Sequence, residues 1–265
     1  MWKYFATGRS HCPFLTHNAL ARKCSGRHGA CCARTNRDRI AIAPMRGAKD
    51  REKTRVTTGT GPTASSRAPG ADASDKRLFA IVLAAGSSSR FGSSKQLVTY
   101  GGAPLVTRAV RLAESICGSR SVLVSGHQWR PVVEACRPLQ GFFVNNTRHR
   151  TGMGSSIACG VRSVTGAADA VLLLLADQPL ITASHLEQLV STWTRSPDEI
   201  TAASFAETAG PPVIFPRRYF TGLGKLQGDR GAREILTSAG SDLRTVKLEE
   251  AAADIDEPED IDRLP

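Results

Sequence analysis

No run of 18 or more apolar residues occurs in the chain, so no membrane-spanning helix is expected. Runs such as Ala170–Ala176 have only the length of a strand. The seven cysteines include no Cys-x-x-Cys pair. Four of them, Cys12, Cys24, Cys31 and Cys32, lie near His11, His17 and His28 at irregular spacings, which argues against a zinc framework. Acidic residues are scarce over the same stretch. Residues 1–76 carry 15 Lys/Arg against 5 Asp/Glu, whereas residues 77–265 carry 20 against 19. The formal net charge of +11 therefore sits almost wholly in the first segment. That excludes reading the charge as the footprint of a nucleic-acid partner.

The first segment also lacks a sustained helical or strand period, and "TTGTGPTASSRAPGADASD" has the composition of a linker. Residues 1–76 are expected to form a disordered basic arm. An Arg-rich, acid-poor arm has the composition of an organellar transit peptide; the alternative is a start assigned too early, with Met45 as the true one. No signal-peptide apolar core is present. Residues 77–265 are expected to form one domain. The remaining cysteines, Cys117, Cys136 and Cys159, lie on apolar faces of predicted helices. They read as core thiols of a cytoplasmic protein.

From residue 77 onward, strand-like runs alternate with helical patterns. Strands are predicted at 78–84, 121–126, 141–145 and 170–177; helices at 104–117, near 130–136, at 154–164 with a serine cap, and at 184–193. "AVLLLLAD" is a continuous apolar run, as in a central strand buried on both faces. Beyond residue 197 the pattern loosens: "ITAASF", "PPVIF" and "RTVKL" read as strands and "DRGAREILTSA" as a helix. Pro258 fits the first turn of a short acidic terminal helix. The alternation predicts an α/β fold, a Rossmann-like three-layer sandwich with a mostly parallel sheet.

Three elements carry chemistry. The first is the loop "LAAGSSSRFGSSKQ". It is not a Walker loop, because five residues separate Gly86 from Gly92 and Lys95 stands three further on. It is not G-x-G-x-x-G either, since Gly86 is followed by Ser87, Ser88 and Ser89. Yet Gly86 permits close backbone approach, the N–H groups of residues 86–89 can form an anion nest, and Arg90 and Lys95 add two cations. The alternative is an ordinary connection with two solvated basic residues. The second element is Asp177, directly after the apolar run and so at the carboxyl edge of the sheet, where open α/β folds bind ligands. The alternative is a cap for the next helix. The third is Asp254-Ile255-Asp256, which can share a divalent cation with Asp177 or cap the last helix. Magnesium typically takes one or two protein carboxylates plus phosphate oxygens and water. A cationic phosphate loop beside an acidic metal site is what nucleotidyl transfer requires. His149 reads as an exposed loop residue, and His127 and His185 as structural or solvated.

"LAAGSSSRFGSSKQL" resembles the signature of the MobA-like nucleotidyltransferases. "LLLLADQPL" is similar to that family's metal-aspartate strand. "NNTRHRTGMGSSIACG", "GPPVIFPRRYF", "GDRGAREIL" and "DIDEPEDI" resemble its later segments, in the same order, from about Phe79 to Ile261. Within the family the chain most resembles the molybdenum cofactor cytidylyltransferases. The resemblance implies that Ala84, Ala85, Gly86, Ser87 and Ser88 line the nucleotide, and that Arg90 and Lys95 hold the triphosphate. It further implies that Gly152, Ser155 and Ser156 face base and ribose, and that Asp177 and Asp256 hold Mg²⁺. Asn146, Asp229 and Arg230 would contact the acceptor. Ala84-Ala85-Gly86 matches the form carried by CTP users, where GTP users tend to have a second glycine. Three positions depart from the pattern: Asn146-Thr147-Arg148-His149 replaces Asn-Pro-x-Trp, Pro211 stands where Asn or His is common, and Glu257 replaces Thr.

The implied activity is transfer of CMP from CTP to the molybdenum-bound molybdopterin cofactor, with release of pyrophosphate and delivery to a molybdenum hydroxylase. No membrane partner is implied. Two alternatives stand beside it: transfer of another nucleotidyl group on the same fold (GMP to the same cofactor, or NMP to a sugar phosphate), and a non-catalytic chaperone that carries cofactor to an apo-enzyme.

Overall fold

The computed structural model describes residues 76–86, 94–228 and 231–264. The expectation for the basic arm lies outside these residues, apart from Lys76. The first strand, β1 (Leu78–Ala84), is followed by a small hairpin of β2 (Thr99–Tyr100) and β3 (Ala103–Pro104) and then by α1 (Leu105–Cys117). The hairpin turns on Gly101 and Gly102, with φ of +58° and +80°, a two-residue turn that glycine adopts without strain. Then come β4 (Ser121–Ser125), α2 (Trp129–Ala135), β5 (Phe142–Asn145), α3 (Met153–Val164), β6 (Ala170–Leu175) and α4 (Ala183–Arg195). The last part holds β7 (Ile200–Phe205), β8 (Thr208–Pro216), α5 (Phe220–Leu223), α6 (Arg233–Ser238) and β9 (Leu243–Lys247).

Seven of these strands form one sheet in the order β5-β4-β1-β6-β8-β7-β9. The strands β5, β4, β1 and β6 are parallel; β8 runs antiparallel to both of its neighbours, and β9 is again parallel to β7. The chain therefore steps outward from β1 to β4 and β5. It then crosses back through α3 to β6 on the other side of β1. The order reverses between β1 and β6, and the crevice at the carboxyl ends of those two strands is the place where such sheets bind ligands.

Helices cover both faces, giving the three-layer α/β sandwich that the alternation predicts. On one face Leu78, Ala80 and Val82 pack with Val106 and Val110 of α1, Val132 of α2, and Leu186, Leu189 and Trp193 of α4. On the other, Ile81 and Leu83 pack with Ile157, Val161 and Val164 of α3, Phe220 and Leu223 of α5, and Leu236 of α6. α3 lies close on β1 because residue 160 is glycine: a Cβ there would meet the Ile81 Cγ2 at 2.6 Å. The β6 residues Ala170–Leu174 are buried, as a central strand requires.

Several local expectations need correction. α3 has no serine cap. Its N-cap is Gly152, with φ +105°, and Ser155 and Ser156 lie inside the first turns with their hydroxyls bonded elsewhere. Of the helix expected over 229–239, the described residues form Arg233–Ser238. The terminal element is a 3-10 turn, Pro258–Arg263, whose N-cap is Glu257. Neither the hairpin nor the 3-10 turn at Lys95–Leu97 was signalled by periodicity. Cys117 and Cys136 are buried free thiols and Cys159 is half-buried. No helix among the described residues is long and apolar enough to cross a membrane.

Candidate functional site

β1 delivers Ala84, Ala85 and Gly86 to the crevice, the two alanines buried and Gly86 exposed. The next residues singled out from the sequence, Ser87, Ser88 and Arg90, lie outside the described residues. The chain is described again from Ser94. Ser94 Oγ donates to Gln96 Oε1 at 2.7 Å, and Gln96 Nε2 donates to the Gly86 carbonyl at 3.0 Å. Both side chains are buried, so this relay fixes Gly86 against the 3-10 turn that carries Lys95.

Lys95 lies between two carboxylates. Its Nζ is 2.7 Å from Asp177 Oδ2 and 2.8 Å from Asp256 Oδ1, and the lysine side chain is only 13% exposed. Burial draws the Lys95 pKa down, but the charges and hydrogen bonds of Asp177 and then Asp256 outweigh it, so the net shift is upward. The ammonium is therefore charged near neutrality. Asp254 is close by. Burial raises its carboxyl above the usual range, and the neighbouring charges of Asp256 and Asp177 add to that.

The backbone explains how residues so far apart in sequence converge. Ala176 N–H donates to the Leu83 carbonyl at 3.2 Å, holding the end of β6 against β1. Ile255 N–H donates to the Asp177 carbonyl at 3.0 Å, which puts Asp256 one residue from that contact. Gln178 Nε2 donates to the Ala251 carbonyl at 2.8 Å and the Pro211 carbonyl at 3.0 Å, clamping the 249–256 segment and β8 to the Asp177 loop. Arg108 supports the loop from below, donating to the Pro179 carbonyl at 3.1 Å while lying over the Tyr100 ring.

The capping alternatives do not hold. The N-cap of α4 is Thr182, in a reciprocal arrangement with His185, five residues beyond Asp177. In the terminal turn the side chain that accepts the Asp256 and Glu257 N–H groups is Asp260, at 2.9 and 2.8 Å. Asp177 and Asp256 are thus free of structural capping duty. Moreover, Asp177 Oδ1 is buried with no hydrogen-bond partner among the described residues. A buried carboxylate oxygen without a partner is costly and calls for a ligand. The donors are all carboxylate oxygens, the preference of magnesium and manganese rather than of zinc or copper. Two protein carboxylates suffice for such an ion when phosphates and water complete its shell. No group of three or more His, Cys, Asp or Glu suited to a metal occurs among the described residues. Asp177 and Asp256 would hold such an ion together with phosphate oxygens and water.

On the other side of β1, β4 leads into Gly126 and His127. Asn146 follows β5 and is buried. Its Nδ2 donates to Ser155 Oγ at 2.8 Å and Ser156 Oγ at 3.0 Å, and its Oδ1 accepts from the Arg148 N–H at 3.0 Å. Ser155 Oγ lies 2.9 Å from the Gly152 carbonyl and 3.0 Å from that of Arg148. Asn146 and Ser155 thus spend their polar groups on one another and on the 146–156 turn, Ser156 accepts from Asn146, and Gly152 and His149 are half-buried. Gly154 N–H donates to the Gly228 carbonyl at 2.9 Å, tying α3 to the stretch before Asp229 and Arg230, which themselves lie outside the described residues. Gln96, Gln178 and Arg108 were not singled out from the sequence. The signal for the first two was present: a glutamine directly after a site residue, in "KQL" and "ADQPL".

Residues 80–245 match the MobA-like NTP transferase domain. The purine catabolism protein PucB of Bacillus subtilis is 30% identical over 199 residues, covering 71% of this chain and 95% of that protein. Among solved structures, the Rv0371c homologue of Mycobacterium sp. strain JC1 superposes with a TM-score of 0.60 at 27% identity, covering 71% of this chain and 94% of that one. Rv0371c of Mycobacterium tuberculosis, solved in complex with manganese, superposes with a TM-score of 0.58 at 23% identity, covering 71% and 97%.

Proposed function

The chain belongs to the MobA-like NTP transferase family, and we propose that within it this protein moves CMP from CTP to a molybdopterin-type cofactor in a Mg²⁺-dependent reaction. The observation that carries the proposal is the Lys95 ammonium held between Asp177 and Asp256 at the β1/β6 crevice, beside Gly86. A triphosphate laid over Gly86 meets backbone N–H groups and the Lys95 cation. Lys95, released from the carboxylates, neutralises charge on the reacting α-phosphate. Asp177 and Asp256 would hold Mg²⁺, which supplies further neutralisation of the phosphate oxygens. A terminal phosphate oxygen of the cofactor forms the new O–P bond to the α-phosphorus, and the bond from α-phosphorus to the α,β-bridging oxygen breaks, releasing pyrophosphate. The attacking phosphate is already anionic, so no general base is required. Catalysis consists of positioning and charge neutralisation.

Ala84-Ala85-Gly86 and the order of the six motifs support CTP and the pterin acceptor over GTP or a sugar phosphate. The Bacillus relative is a protein of purine catabolism, which supports a molybdenum hydroxylase as recipient of the product. The free thiols at Cys117, Cys136 and Cys159 support a reducing, cytoplasmic setting. The test is to mix the protein with CTP, Mg²⁺ and molybdenum-bound molybdopterin and to follow pyrophosphate. Release that depends on all three supports the reading. Tight cofactor binding without pyrophosphate release would instead favour the delivery chaperone, and a guanylylated product the GTP alternative.

A further inference from the structure

A single buried amide joins the supports of the two carboxylates. Gln178 directly follows Asp177, and it is only 8% exposed. Its Nε2 donates to two main-chain carbonyls, that of Ala251 at 2.8 Å and that of Pro211 at 3.0 Å. A carbonyl oxygen can only accept, so both N–H bonds of the amide are engaged there. The acceptors belong to stretches far apart in sequence: Pro211 lies in β8, and Ala251 in the 3-10 turn Glu249–Ala252.

Asp256 depends on such support more than Asp177 does. Asp177 closely follows β6, a central strand of the sheet. Residues 253–256 form neither helix nor strand. The Asp256 side chain is 59% exposed, against 25% for that of Asp177.

The irregular stretch is tied at both ends to one dipeptide. At the near end the Ala251 carbonyl accepts from Gln178. At the far end the Ile255 N–H donates to the Asp177 carbonyl at 3.0 Å, and the Ile255 side chain is fully buried. Asp256 follows that second tie directly. A segment held at Ile255 alone can pivot about it, whereas one held at Ala251 as well cannot. Residues 177 and 178 thus supply one carboxylate and fix the segment that presents the other. The second bond of the Gln178 amide extends the tie to β8. Pro211 has no N–H, so its carbonyl is the hydrogen-bonding group its backbone offers.

We propose that Gln178 is a positioning residue: by holding the Ala251 carbonyl it sets where the Asp256 carboxylate stands relative to Asp177, and so the affinity of the pair for a divalent cation. The proposal rests on the metal role given to the two aspartates above, and the experiment separates the two. Mn²⁺ is the probe, titrated without nucleotide and read from the spin-resonance signal of the free ion. Lys95→Met is the reference protein, because it removes the ammonium that lies between the carboxylates. Into it are introduced Gln178→Met, Gln178→Asn, Asp256→Asn, and Gln178→Met together with Asp256→Asn, with thermal unfolding of each as a control on folding.

Gln178→Met keeps the side-chain length and loses both donors; it should weaken Mn²⁺ binding about tenfold. Gln178→Asn keeps an amide but is shorter by one carbon–carbon bond, roughly 1.5 Å. That withdraws the nitrogen from both carbonyls, and a similar loss is expected from a variant that keeps a polar side chain. The double variant should bind within about twofold of Asp256→Asn, because Gln178 acts through that carboxylate. Unchanged Mn²⁺ affinity in the Gln178 variants, whatever their unfolding temperature, overturns the proposal and leaves Gln178 a support of the fold alone. A double variant in which the two losses multiply also overturns it. If Lys95→Met binds no Mn²⁺, or Asp256→Asn costs it nothing, the metal reading of the two aspartates falls and this proposal with it.

Discussion

Lys95 occupies the position between Asp177 and Asp256 that a divalent cation would need, and this has a measurable consequence for the nucleotide-free protein. For a metal ion to take both carboxylates, the ammonium must leave them. The bond to Asp177 is the stronger part: the lysine is 13% and the aspartate 25% exposed, at 2.7 Å. A charge-assisted hydrogen bond in such a place contributes about 1.5–3 kcal/mol. The bond to Asp256 is screened, since that carboxylate is 59% exposed. It adds less than about 1 kcal/mol. Displacing Lys95 therefore costs about 1.5–4 kcal/mol, a handicap of roughly 10- to 700-fold on metal affinity. Lys95→Met keeps the length of the side chain and removes the competing cation. It should bind Mn²⁺ at least about tenfold more tightly than wild type in the absence of nucleotide, read from the spin-resonance signal of free Mn²⁺ during titration. In the wild type, on the proposed reading, CTP would offer Lys95 phosphate oxygens as new partners. Metal binding should therefore strengthen when CTP is added, and this strengthening should be lost in Lys95→Met. Equal nucleotide-free Mn²⁺ affinity in the two proteins would refute the competition. Retention of tight binding in Lys95→Met/Asp177→Asn would place the ion elsewhere.

Other expectations follow from the same contacts. Asp177→Asn removes one charge and keeps shape; it should lower the rate of pyrophosphate release about 10²–10³-fold, by analogy with loss of one preorganised electrostatic group, and unchanged activity at low Mg²⁺ would withdraw the metal role. A chain beginning at Ser74 should keep its rate within about tenfold, since each 1.4 kcal/mol of barrier is tenfold and the residues of the site all follow Arg77. Gly160→Ala should destabilise the protein by about 1–3 kcal/mol in denaturant unfolding, because the added methyl meets the Ile81 side chain at 2.6 Å and forces α3 from β1. Asp169 is held below the usual carboxylate range first by the Arg77 side chain and then by the Arg77 backbone N–H. Its contribution is therefore present above the unfolded value of about 3.9 and lost as pH falls through the depressed folded value. Asp169→Asn should cost about 1–2 kcal/mol at pH 7. That gap should close in acid, and a gap constant down to pH 2 would refute the linkage.

What was legible in the sequence follows from what periodicity reports. Apolar period marks which face of an element is buried, so β1, α1, β4, β6 and α4 could be read to within a residue or two, and with them the three-layer sheet. Asp177 could be read because a charge directly after a run buried on both faces has only the sheet edge to occupy. Lys95 could be read because a lysine shortly after a strand-and-glycine turn stays near that turn. The meeting of Asp177 with Asp256 is of another kind. It depends on the Ile255 N–H reaching the Asp177 carbonyl and on the amide of Gln178 joining Ala251 to Pro211, bonds between stretches that no local pattern relates. The serines show the same limit from the other side. Likeness of motif says nothing of the contacts that Ser155 and Ser156 make within the fold: Asn146 is only 4% exposed, and a buried amide must find acceptors. The two hydroxyls are the acceptors within its reach, and the helix start passes to Gly152 instead. Demand for hydrogen bonds in the interior thus redistributed polar residues whose types, though not their partners, could be read in advance. His149 illustrates the outcome: read as an exposed loop residue, it is a half-buried ring whose Nδ1 is buried and has no hydrogen-bond partner among the described residues.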